Sequence, residues 1–200
     1  MRNSPLTRRL FLATSSAAAV MVARPALAMS EAEATQLVQQ AIAELQAIID
    51  SGQSERQMLG RFKAYFERFA DVPVIAQFAL GRGVNASAAE RRAFEDAFAG
   101  YISRKYGRRF REFIGAQIDI AGAAQLRENQ YEVRSTVRLR GQAPFELAFR
   151  VSDQSGRGRM FDLIIEGVSL LRVEGQEVRD LLIRYGDDVG RVAQHLNQAG

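Results

Sequence analysis

The spacing of apolar residues changes once along this chain, from three and four in the first half to two in the second, and that switch restricts the fold to helices followed by a sheet. From Glu31 to Asp50, Leu37, Val38, Ala41, Leu45, Ile48 and Ile49 fall on one helical face, and Ser51-Gly52 ends the run. Ser54 with Gln57 reads as a capping box that opens a helix whose face is Met58, Phe62, Tyr65, Phe66 and Phe69. Asp71 and Pro73 start a short apolar helix through Phe78 and Leu80, stopped by Gly81. Ser87 with Glu90 is a second box, launching a long helix with Phe94, Phe98, Ile102, Tyr106, Phe110 and Ile114 in one row. Gly100 and Gly107 are points at which it can bend.

The second half alternates. Tyr131, Val133, Ser135, Val137 and Leu139 interleave with Glu132, Arg134, Thr136, Arg138 and Arg140, the pattern of a strand with one buried and one wet face. Phe145, Leu147, Phe149 and Val151 repeat it, as do Phe161, Leu163 and Ile165. With Gln117 to Leu126 ahead of them, these runs predict four strands in an antiparallel meander, turning at Glu128-Asn129, Gly141-Gln142 and Ser155-Gly156. Two short helical segments, Gly175 to Tyr185 and Asp187 to Asn197, close the chain. The expected class is therefore α+β, a helical layer packed on a twisted four-stranded antiparallel sheet.

Ahead of this domain, Thr7-Arg8-Arg9-Leu10-Phe11-Leu12, a small-residue apolar run and Ala26-Leu27-Ala28 read as a cleaved export signal of the twin-arginine type. Residues 1–28 are thus expected to be removed before Met29, leaving 29–200 as one domain in the periplasm. The charge argument changes with them. The full chain has 27 Lys plus Arg against 23 Asp plus Glu, but Arg2, Arg8, Arg9 and Arg24 lie in the leader, which has no acids. The remainder is formally neutral and gives no support for nucleic-acid binding, which needs net attraction to phosphates. The chain has no cysteine, which excludes disulfides, thiolate catalysis and cysteine metal ligation.

Aromatic and branched groups are dense on both predicted layers. Phe94, Phe98 and Tyr101 on the helices are expected to face Val133, Val137, Phe145, Leu147, Phe149, Phe161 and Leu163 on the strands, either as a plain core or as the lining of an apolar cavity. Arg104, Lys105, Arg108, Arg109 and Arg111 form the densest cationic run, read as a solvated or ion-paired face or as a docking patch for an acidic partner surface. Catalysis has little foothold. His195 is the only histidine and is expected to be solvated or capping. Asp162 is expected to make a structural hydrogen bond or ion pair, Asp187-Asp188 resembles a helix start, and no catalytic or metal-binding motif is present.

The order of an exported leader, Tyr65-Phe66-Glu67-Arg68-Phe69-Ala70-Asp71-Val72-Pro73, Ala79-Leu80-Gly81, Phe94 to Tyr101, four strands and the segment Phe161-Asp162-Leu163-Ile164-Ile165-Glu166-Gly167-Val168-Ser169-Leu170 resembles the MlaC or toluene-tolerance family. That resemblance implies a periplasmic phospholipid carrier of the Mla pathway, without cofactor or enzymatic activity, holding lipid tails between helices and sheet. It also implies partners: an inner-membrane ABC lipid transporter complex and an outer-membrane lipoprotein complex. Another cargo such as a hopanoid, or a non-catalytic structural adaptor, is the alternative.

Overall fold

The computed structural model describes residues 29–200; the leader and its Arg8-Arg9 pair lie outside them. The helices begin where capping chemistry announces them. α1 (Glu31–Ile49) opens on Ser30, whose backbone N–H donates to Glu33 at 2.8 Å in a capping box. α2 (Glu55–Phe69) and α4 (Ala88–Gly107) open on the Ser54–Gln57 and Ser87–Glu90 boxes. Between them α3 (Val72–Leu80) starts at Asp71 with Pro73 in its first turn. The predicted continuation of the long helix to Ile114 does not occur: α4 ends at Gly107, and a separate 3₁₀ turn spans Phe110–Phe113. Leu59 of α2 fills the space that a side chain at Gly107 would need, so close helix packing demands glycine there and the weakest helix former ends the helix.

The sheet runs β1 (Gln117–Arg127), β2 (Gln130–Arg138), β3 (Phe145–Ser152), β4 (Arg159–Ile165) and β5 (Val168–Ser169), in that order and antiparallel throughout. It therefore has five strands rather than the four predicted. The extra one follows Glu166 and Gly167, both in the left-handed region (φ 48° and 78°), the backbone that a two-residue hairpin loop requires. α5 (Leu170–Tyr185) then starts directly, five residues before the predicted Gly175, and α6 (Val189–Gln198) follows with Asp188 as its N-cap.

Two layers result, each with its own core. α1 lays Ala34, Val38 and Ile42 on Tyr131, Val133, Val137, Leu147, Phe149 and Val151. A second core joins α3, α4, α5 and α6 through Ala76, Leu80, Phe94, Phe98, Val178, Leu182, Val192 and Leu196. Between them stands the aromatic strip of α2, where Phe62, Tyr65 and Phe69 stack at 5.6 and 5.0 Å between successive ring centroids. No helix among the described residues is long and apolar enough to cross a membrane.

Candidate functional site

On the sheet, register decides which predicted site residues meet. Val133, Phe149 and Leu163 are opposite one another across β2, β3 and β4, as are Ser135, Leu147 and Ile165, and Val137 pairs with Phe145. Six of the predicted residues thus share the α1-facing side. Phe161 does not join them. A bulge between Arg150 and Val151 pairs Arg150 with Asp162 and Val151 with Met160, so Phe161 has no partner in the ladder and is half-buried. Alternation alone places Phe161 beside Leu163, and only the bulge moves Met160 into that row.

Phe94, Phe98 and Tyr101 are not opposite the strands as expected. All three are buried in the helical core, with the two phenyl rings stacked at 5.8 Å, while α4 packs on α2, α3 and α6. The reason is that an apolar helical face fits any apolar neighbour, and other helices reach α4 first. α1 lies across β1, β2 and β3, α3 and α5 pack against β4, and the inner-face residues Phe145, Leu163 and Ile165 remain half-buried. A separate groove of about 640 Å³ between α2, α4 and α6 has Leu59, Gly60 and Gly100 in its lining and Glu55, Arg56, Lys63 and Asp96 among its charged residues.

The cationic run is mostly spoken for. Arg104 donates to the carbonyls of Leu196 and Ala199 at 2.5 and 2.9 Å, capping the end of α6. Lys105 reaches across to α5, where its ammonium lies 2.9 Å from Glu174 and 2.5 Å from Glu177. The Tyr101 and Tyr106 hydroxyls donate to Glu177 and Glu174, each at 2.5 Å. Sequence analysis missed this clamp because its halves are far apart in the chain. Glu174 is only 3% exposed, so Lys105 is the cation that makes its burial tolerable. Burial and the bond to Glu177 push the Tyr101 hydroxyl up to about 12. Burial opposes the Lys105 charge, but its bonds to Glu177, Tyr101 and Glu174 outweigh that and raise it. Glu177 is likewise disfavoured by burial, yet Lys105 and Tyr101 hold it below the usual glutamate range. Of the rest of the run, Arg109 pairs with Glu112 at 2.9 Å, and Arg108 and Arg111 are exposed beside Ile114, itself 55% exposed.

Asp162 makes the structural bonds expected of it. It accepts from Ser169 Oγ at 2.7 Å and from the backbone N–H of Leu171 at 3.0 Å, and it lies 3.5 Å from Arg150. A strand residue thereby caps α5 and fixes the β4–β5–α5 corner. Asp162→Ala removes the cap and the bonds from Ser169 and Leu171, while Arg150 keeps Glu132; a loss of about 2 kcal/mol is expected in urea denaturation, and a loss under about 0.5 kcal/mol refutes the assignment. His195 is half-buried in the last turn of α6, with its Nδ1 3.1 Å from the Tyr185 hydroxyl. Among the described residues no three or more His, Asp or Glu side chains are grouped to hold a metal ion.

An apolar sheet with a half-buried inner row stands beside a helical core, with α2 between them. Comparison with curated proteins gives no match. A phospholipid-binding protein from Ralstonia solanacearum, solved in complex with a phospholipid, shares the fold at a TM-score of 0.72 and 22% identity, over 82% of this chain and 95% of that one. The family model for MlaC protein matches residues 35–198, from α1 to the end of α6. The chain belongs to the MlaC family.

Proposed function

We propose that this protein is a periplasmic carrier that shuttles a phospholipid between outer- and inner-membrane complexes of an ABC-type lipid transport system. The observation that carries the reading is the half-buried apolar group Phe145, Leu163 and Ile165 on the inner face of the sheet. The acyl tails lodge there, against Val133, Val137, Leu147 and Phe149, with Phe161 at the β4 bulge beside them. Each buried CH₂ contributes about 0.8 kcal/mol, so two tails give on the order of 20 kcal/mol before ordering costs, and no reactive group is needed. The Lys105–Glu174–Glu177 clamp holds α4 to α5 within the helical core. Family membership and the phospholipid seen in the Ralstonia relative support the cargo class. Native mass spectrometry of protein recovered from the periplasm tests it: bound phospholipid is the expected result, and a lipid-free protein or a hopanoid adduct overturns the assignment.

Docking on a more acidic membrane-complex surface falls to Arg108, Arg109 and Arg111, since Arg104 and Lys105 are engaged internally. Reversing Arg108 and Arg109 to Glu is expected to slow association and flatten its salt dependence while lipid content stays constant. Unchanged lipid transfer between donor and acceptor complexes removes this role.

A further inference from the structure

Met29 is held by every group it has. Its side chain is buried, with Sδ and Leu37 closing over Gly158, where any larger residue would collide with them. Its carbonyl accepts from the Tyr131 hydroxyl, and its nitrogen donates to Asp153 Oδ2 at 2.7 Å. The receiving carboxylate is incomplete. Asp153 Oδ1 is buried without a hydrogen-bond partner, and no Lys or Arg pairs with Asp153 among the described residues. A half-buried carboxylate with one neutral donor and a buried, unpartnered oxygen is a costly arrangement unless a cation arrives.

We propose that Met29 is the amino terminus of the working protein and that its α-ammonium, created by export-coupled cleavage after Ala28, forms an ion pair with Asp153 that completes the fold. The chemistry is hydrolysis by a signal-peptidase-class enzyme. Water adds across the Ala28–Met29 bond, its oxygen going to Ala28 as a carboxylate and both its hydrogens to the Met29 nitrogen. One neutral N–H becomes a cation with three donors, enough to serve both Asp153 oxygens from the position the nitrogen already occupies. The inference rests on the leader reading for the site of cleavage and adds what the new terminus does: it turns the hydrogen bond between the start of α1 and the β3–β4 turn into an ion pair, which the precursor cannot form.

The test uses the full chain, exported and recovered, beside a chain with one alanine inserted between Ala28 and Met29, so that cleavage leaves the extra residue in front. N-terminal sequencing is expected to find Met29 first in the former, with a Tm about 2–6 °C above the latter. Pairing raises the α-amino pKa above its unfolded value of about 8, so this advantage is full below that pH and is lost as pH rises through the folded value. Asp153→Asn is expected to abolish the gap between the two chains; should that variant not fold, the pH dependence of the unmutated pair decides. A different first residue, equal Tm values, or a gap that is independent of pH overturns the proposal.

Discussion

Replacing Leu147 by aspartate is expected to empty the protein of co-purifying lipid. Leu147 lies in the middle strand, opposite Ser135 on β2 and Ile165 on β4, on the face that carries the half-buried apolar row. A carboxylate placed there has no cation in its row, and an unpaired charge in apolar surroundings costs several kcal/mol, enough to cancel the gain from several methylenes of a tail. The same charge could unfold the domain, so circular dichroism accompanies the measurement, and the neighbouring position supplies the control. Ala148 points to the opposite face, where it pairs with Arg134. Ala148→Asp therefore places the same charge one residue away, across from a guanidinium, and is expected to retain lipid. A folded Leu147→Asp protein that keeps its lipid refutes the placement of the tails on this face. Loss of lipid from both variants refutes it as well, because the effect then has no sidedness.

Lys105→Met is expected to cost about 2–4 kcal/mol of stability, because it strands Glu174 as a buried carboxylate without its cation. Adding Glu174→Gln removes the stranded charge, and the double variant is expected to recover more than half of the loss, a non-additivity that separates a coupled pair from two independent packing defects. Denaturant midpoints at constant m-value measure both. The clamp also gives stability a defined pH dependence. Glu177 is held below its ordinary 4.5, so its contribution is present above that value and fades as pH falls through the lowered one. Tyr101 is raised from 10.0 to about 12, so its contribution is complete below pH 10 and disappears as pH rises through about 12. A variant of unchanged stability shows that the Lys105–Glu174 contact contributes nothing.

Much of the architecture is legible in short stretches of residues. Ser54–Gln57 and Ser87–Glu90 start helices at the expected places because a capping box is a local hydrogen-bond exchange over four residues. The alternation from Tyr131 to Val151 becomes two buried rows because side chains on a strand point to opposite faces whatever lies beyond. Asp162 was recognisable as structural for the same reason. Where a distant neighbour intervenes, local pattern fails. The apolar row beyond Gly107 does not continue the helix because Leu59, on another helix, occupies the space at that glycine. Phe161 looks like a member of the inner row until the bulge opposite Arg150 shifts it out.

The candidate site divides in the same way. Its composition, a set of large apolar groups on two layers without a catalytic constellation, is a property of the residues themselves. Which layer meets which is not, since hydrophobic burial has no direction and Phe94 gains as much against Leu196 and Val192 as it would against the sheet. The cationic run shows it most sharply. Five adjacent positive charges read as one surface, but Lys105 is claimed by Glu174 and Glu177 and Arg104 by the carbonyls that end α6. Sequence by itself determined most of the elements, the apolar faces and the α+β class, because those depend on periodicity and on local bonds. Only the tertiary structure decided the partners, because charge pairing and apolar contact act between residues that chain folding, and nothing in their spacing, brings within a few ångströms.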